Sequence, residues 1–296
     1  MFEQIKKLAE ISSRGGRVPP IYLYLVFIIP GFAYSITKTG QLNFIPFILV
    51  SIAIMPLIAA TNLFDDYFDY NLGFDKKDSP NTIYRRHPIF HYKVTPNYLI
   101  RWAVVFSIIY LIFSLLISLK YGLVLNLIAV IGLALGYGYT GPPFGYKYLG
   151  LGEIGVLLSA IAASEFISVA SIGSFYPDSV LFFLPFSFLI ALILFLGNYR
   201  DLEFDQKSGF KTLATILGRR KSGLFSALVF TVFYGTIAIL YFVRIYGEFS
   251  LIDFITAPFA YYLSFEWSKR DSSKFERFAG PYLFAILMLL NLLLIL

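Results

Sequence analysis

Cysteine is absent from all 296 residues, which excludes a disulfide framework, a thiolate metal site and a cysteine nucleophile together. Charge is scarce too. Only 14% of residues are Asp, Glu, Lys or Arg against 58% hydrophobic, and the mean hydropathy of +0.72 exceeds what a soluble core needs. Long polar stretches are missing as well. The longest, 70–97 and 199–222, are loop-sized and lie between apolar runs, so nothing marks a second, soluble domain, and 1–296 reads as one membrane domain. The alternation expected of ten-residue barrel strands does not occur, which sets a β-barrel aside. The opening "MFEQIKKLAEISSRGGRVPP" has no clear cleavage site and leads into a run too long for a secretory signal, so it reads as a cytoplasmic lead-in.

What remains is apolar sequence cut into lengths near the ~20 residues that cross a bilayer's hydrocarbon core. Nine such runs occur, at about 20–37, 43–64, 98–118, 121–139, 151–173, 179–198, 222–243, 248–265 and 278–296. Prolines and glycines inside them are compatible with helix, because neighbouring helices can satisfy the freed backbone groups. The expected fold is therefore an all-α membrane bundle of nine transmembrane helices. Lys and Arg sort by loop. Only Lys38, Lys120 and Arg244 fall on one side and the other 21 of 24 on the opposite side, which places the N-terminus and the basic loops in the cytoplasm. The net charge of +6 thus reflects topology, and since the basic residues sit in short loops among carboxylates, no nucleic-acid partner is expected. The expected location is the plasma membrane, with the lipid bilayer as surroundings.

Acids gather on the cytoplasmic side. Asn62, Asp65, Asp66 and Asp69 recur at spacings of three and four near the end of the second run, on one helical face, and Gly73 and Asp75 follow. After the sixth run, Asn198, Asp201 and Asp205 repeat the spacing beside Arg200, Lys207 and Lys211. Two acidic helix ends four helices apart suggest a four-helix unit used twice with a ninth helix appended. Carboxylates at membrane depth need partners. Oxygen-only clusters suit hard cations, and Mg²⁺ commonly binds one or two carboxylates, waters and a substrate's phosphate oxygens. Acidic faces beside basic loops therefore fit a Mg²⁺-diphosphate, with Arg86, Lys147, Arg200 or Lys211 meeting the remaining phosphate oxygens. A long polyprenyl diphosphate suits such a place, its tail among the helices and its head at the cytoplasmic surface. Among 32 Phe and 22 Tyr, most pack or anchor at the membrane interface, while some can line a lipid tunnel and flank an allylic cation.

Three stretches carry a family resemblance: "NLFDDYFDYNLGFD" at 62–75, "YTGPPFGYKYLGLGE" at 139–153 and "NYRDLEFDQKSGFKTLATILG" at 198–218. Together they resemble the three cytoplasmic motif regions of the UbiA superfamily of intramembrane prenyltransferases, most closely its 1,4-dihydroxy-2-naphthoate polyprenyltransferase branch in menaquinone synthesis. The resemblance implies nine helices around a central cavity, two aspartate-rich motifs that bind Mg²⁺ and an isoprenyl diphosphate, and prenyl transfer to a lipophilic or aromatic acceptor. It implies Asp65, Asp69 and Asp75, with Asp66 beside them, for the first motif and Asp201 and Asp205 for the second. Tyr139, Lys147 and the run Gly150, Leu151, Gly152 and Glu153 match the middle region. The implied chemistry is ionisation of the allylic C–O bond, attack by an electron-rich carbon, and loss of a proton or carboxylate.

The sequence also departs from that pattern. Asp65 stands where the family usually has Asn, with Asn62 three positions earlier, and the extra charge either tightens metal binding or is protonated. After Gly209 the naphthoate branch commonly has Lys, whereas here Phe210 precedes Lys211. The loop "NTIYRRHPIFHYKVT", which holds Arg86 and His87, differs too. Glu165, a carboxylate inside the fifth run, is expected either in an acceptor pocket or in a structural pair. Transfer to a non-aromatic alcohol such as a prenylated glycerol phosphate, and a membrane transporter, stand as alternatives. A transporter would carry its polar residues at the midplane, whereas these acids lie at one mouth.

Overall fold

Backbone groups in hydrocarbon have no water to bond, so long apolar runs satisfy them internally as helices. The computed structural model describes residues 21–41, 43–79 and 86–269, with Ile11 and Thr82, and no strand forms among them. Among the described residues five helices are long and apolar enough to cross a membrane: α2 (Phe44–Asn71), α4 (Pro96–Tyr121), α6 (Gly152–Ile172), α7 (Pro177–Arg200) and α9 (Leu213–Phe242). α1 (Ile21–Thr39) precedes them, α3 (Pro88–Tyr92), α5 (Val124–Gly138) and α8 (Leu202–Ser208) lie between them, and α10 (Ala257–Trp267) follows. The protein is an integral membrane protein. Leu116, Leu119, Leu228, Ile239 and Phe242 are exposed on its long helices, a surface that bilayer lipid covers.

Helix starts follow local chemistry. Pro96 and Pro177 open α4 and α7, where a missing N–H costs nothing. Thr212 and Thr215 exchange side-chain bonds with each other's backbone N–H at 3.2 and 2.8 Å, a capping box that starts α9. Gly218, at φ +68° and ψ 171°, then kinks α9 before its membrane portion.

Some boundaries differ from the sequence expectation. The second run, expected to end at 64, continues as helix to Asn71, so the acidic stretch belongs to α2 itself. The run at 248–265 is not one span. A 3₁₀ segment, Glu248–Thr256, precedes the 11-residue α10, and Pro258 falls in the first turn of α10, where its missing N–H costs no helical bond. The run at 278–296 lies outside the described residues.

α6 is central, packing against α1, α2, α4, α5 and α7, while α2 lies along α4 and α9 joins α7 to α10. Small residues let helices close up in a membrane. At Gly31 on α1 a Cβ would stand 2.0 Å from the Ser164 carbonyl oxygen on α6, so only glycine permits this crossing. Phe182, Phe183, Phe186, Phe195, Phe230 and Phe233 fill one core cluster, and Ile54, Tyr110, Leu125 and Phe166 belong to another.

Candidate active site

The last three turns of α2 carry Asn62, Asp65, Asp66 and Asp69, but they do not form one cluster. Asp65 and Asp69, four residues apart, share the Lys147 ammonium, whose Nζ lies 2.6 Å from Asp65 Oδ1 and 2.5 Å from Asp69 Oδ2. Lys147 sits on a 3₁₀ turn, Tyr146–Leu149, between α5 and α6. Its ammonium is 5.4 Å from the ring centroids of both Tyr139 and Phe210. Burial pulls the Lys147 pKa down, but Asp65 and Asp69 outweigh it and hold the amine well above its usual value, so it stays charged. Tyr148 donates its hydroxyl to Asp69 Oδ1 at 2.9 Å, and burial together with Asp69 pushes its phenol up, keeping it a donor.

Asp66 turns instead toward His87. The His87 Nε2 lies 3.0 Å from Asp75 Oδ2 and 3.7 Å from Asp66 Oδ1, with all three side chains buried. Their ligand atoms lie within 4.8 Å of one another, as in a metal site. The other ring nitrogen decides the matter. Nδ1 accepts the Ile89 N–H at 3.3 Å, capping α3, so these bonds assign the proton to Nε2, which in this arrangement donates to Asp75 and offers no lone pair to a metal. His87 is thus a clip that fastens the loop after α2.

The second acidic arm begins at the end of α7. Asn198 Nδ2 donates to Glu153 Oε1 at 3.0 Å, joining α7 to the start of α6, and Glu153 is buried. Arg200 grips Asp201 through two bonds of 2.8 and 2.6 Å. Asp205, on α8, is buried, and burial with the Asp201 charge pushes its carboxyl up to about 7 against the pull of Lys147 and Arg200. The field of Lys147 therefore reaches both arms. Arg86, Lys207 and Lys211 are exposed, and among the described residues no hydrogen bond or ion pair joins them to the acids. Glu165 is elsewhere. Twelve residues beyond Glu153, it is about 18 Å along α6, bonded to the Ser179 hydroxyl near Asp178 and Lys38.

A cavity of about 710 Å³ reaches from this polar mouth into the bundle. Asn62, Asp65, Tyr139, Arg200 and Arg219 line it together with apolar Leu57, Ile128, Phe166 and Ile190. A polar end on an apolar chamber of this size suits an amphiphile with a charged head. Sequence reasoning passed over Tyr148 and Arg219. For Tyr148 the available signal was its place beside Lys147; for Arg219 there was none, since its role depends on α9 meeting the cavity.

The sequence pattern of the UbiA prenyltransferase family matches residues 24–293. The 1,4-dihydroxy-2-naphthoate octaprenyltransferase of Bacillus subtilis is 31% identical over 179 residues, covering 59% of this chain and 56% of that protein. Matched segments span 49% to 64% of the length of the curated relatives. A solved digeranylgeranylglyceryl phosphate synthase superposes with TM-score 0.67 at 21% identity over 99% of this chain and 97% of that one. A UbiA homolog from Archaeoglobus fulgidus bound to GPP and Mg²⁺ gives TM-score 0.61 at 16% identity over 96% and 99%. At these identities the two structures speak for the fold.

Proposed function

The chain belongs to the UbiA prenyltransferase family, and from that premise we propose that it transfers a polyprenyl group from an isoprenyl diphosphate to an aromatic, quinone-precursor acceptor in the membrane. The observation that carries this reading is the Lys147 bridge between Asp65 and Asp69 at the polar end of a large apolar cavity. Anionic oxygens converge there on one positive charge, and the set holds no nitrogen or sulfur ligand. Such a set fits Mg²⁺. Asp65, Asp69, Asp201 and Asp205 would hold the ion, with Asp75 and Asp66 behind them on the His87 clip.

When bound, Mg²⁺ supplies the positive charge that lets a diphosphate leave an allylic carbon. The chain's own part is to surround that leaving group. Lys147 and Arg200 face its oxygens, with Lys207, Lys211 and Arg86 available from the loops. Tyr139 presents a ring face beside Lys147, suited to a developing allylic cation. Asn62, Glu153 and Asn198 offer polar atoms for orienting the acceptor. The apolar walls exclude water, which would otherwise capture the cation. Nine membrane helices, a cytoplasmic N-terminus and an active site facing the cytoplasm at the plasma membrane complete the proposal, supported by the asymmetry of Lys and Arg.

Arg219 on the cavity wall favours testing one other acceptor class, a prenylated glycerol phosphate attacked through oxygen. Purified protein is incubated with radiolabelled geranylgeranyl diphosphate, Mg²⁺ and each acceptor. Product with dihydroxynaphthoate alone supports the proposal, product with the glycerol phosphate alone replaces the acceptor class, and no Mg²⁺-dependent turnover refutes both.

A further inference from the structure

The two acidic arms end in the same six-residue device. Asp69-Tyr70-Asn71-Leu72-Gly73-Phe74 and Asp205-Gln206-Lys207-Ser208-Gly209-Phe210 share the pattern Asp-x-x-x-Gly-Phe. In the first, the Phe74 N–H bonds the Asp69 carbonyl at 2.9 Å and the Gly73 N–H bonds the Tyr70 carbonyl at 3.1 Å. The second repeats it, with the Phe210 N–H on the Asp205 carbonyl at 2.9 Å and the Gly209 N–H on the Gln206 carbonyl at 3.4 Å. Both are Schellman closures, and both glycines are left-handed, at φ +79° and +75°. Each closure uses the backbone of its own acid and releases a phenylalanine at the same place.

Those two rings meet. Phe74 and Phe210 lie 4.6 Å apart, centroid to centroid, and Tyr148 joins them at 5.4 and 5.7 Å. One ring thus comes from each of the three motif loops. Tyr148 holds Asp69 through its hydroxyl, and the Phe210 ring stands 5.4 Å from the Lys147 ammonium. A solvated salt bridge needs no such cover, and three loops from distant parts of the chain would not meet by local propensity.

We infer that Phe74, Tyr148 and Phe210 form an aromatic clasp that ties the two acidic arms together and keeps water from the reacting carbon. The inference rests on the proposed prenyl transfer. It makes Phe210 a positioning residue, acting through Phe74 and Tyr148. With the clasp opened, water forms the C–O bond as diphosphate leaves, yielding a prenyl alcohol and a proton in place of the prenylated acceptor.

Two measurements test it on the full chain. In metal-free protein, Phe210→Ala should raise amide hydrogen exchange at 72–75 roughly tenfold, since two aromatic pairs are lost. Faster exchange confined to 209–212 overturns the clasp. With geranylgeranyl diphosphate, Mg²⁺ and dihydroxynaphthoate, the ratio of geranylgeraniol to prenylated acceptor should rise several-fold in Phe210→Ala and return to the wild-type value in Phe210→Trp. An unchanged ratio overturns the water-excluding role. If the alanine variant does not fold, Phe210→Leu keeps apolar volume without the ring and takes its place in both measurements. Wild-type protein that consumes no donor in either channel refutes the transferase reading instead, and the exchange measurement then decides the clasp alone.

Discussion

Replacing Lys147 with methionine tests the charge logic of the site most directly. The ammonium lies within 2.6 Å of two carboxylates, and the side chains of Lys147, Asp65 and Asp69 are only 13%, 21% and 6% exposed. Removing it leaves two anions four residues apart with little water to screen them. Breaking a buried pair by deleting one partner costs on the order of 3–5 kcal/mol. With partial exposure of Asp65, about 3 kcal/mol is the better figure, near 5 °C in melting temperature for a chain of this size. The assay is thermal unfolding in detergent at pH 8, with and without Mg²⁺. Metal-free Lys147→Met should melt well below wild type, and Mg²⁺ should restore most of the difference while stabilising wild type less, because the ion replaces the missing charge. Equal melting of the two metal-free proteins, or an identical Mg²⁺ increment in both, would refute the view that Asp65 and Asp69 form a cation seat.

Three other predictions follow from the same geometry. Asp69→Ala and Asp205→Ala should each lower Mg²⁺-diphosphate binding and turnover at least a hundredfold while leaving helical content by circular dichroism unchanged, as each removes a ligand and no core packing. Folding raises the Asp205 pKa from 3.8 to about 7, so its contribution to metal-free stability is whole below the usual value and is lost as pH rises through about 7. Mg²⁺ affinity should run the opposite way, rising up to tenfold per pH unit to near 7 and then levelling, because the ion needs the carboxylate; Asp205→Asn should flatten both profiles. His87→Gln, whose amide can still donate to Asp75, should keep Mg²⁺ affinity within a few fold, whereas His87→Leu should weaken it about tenfold or more in a binding titration.

Helix identity was legible because the bilayer leaves apolar segments no other way to satisfy their backbone, and helix periodicity is local. The spacing of three and four in 62–69 and 198–205 depends only on that periodicity, and so did the pairing of Asp65 with Asp69. The split of 248–265 was less accessible. Hydropathy does not distinguish a 3₁₀ segment from an α-helix, and only the proline at 258 hinted at the break. Asp66 illustrates the limit within one helix. A helical wheel groups it with its neighbours, but its partner is His87, brought back by a loop whose path no local rule sets. Phe210 stood out as a departure from a related pattern, and its role emerged only from contact with Phe74 and Tyr148.

The amino-acid sequence by itself determined what is local or additive: the all-helical membrane class, the two acidic arms and the Asp-x-x-x-Gly-Phe closures. Tertiary structure alone decided which groups face one another. Lys147 enters between Asp65 and Asp69, Asn198 reaches Glu153, and three aromatic rings converge over the site, because α6 packs against five helices and the loop before it meets the ends of α2 and α7 at one mouth. The physical reason is range. Backbone hydrogen bonding and hydropathy act over a few residues, whereas ion pairs and ring contacts form between residues far apart in the chain, and only the packed bundle fixes those distances.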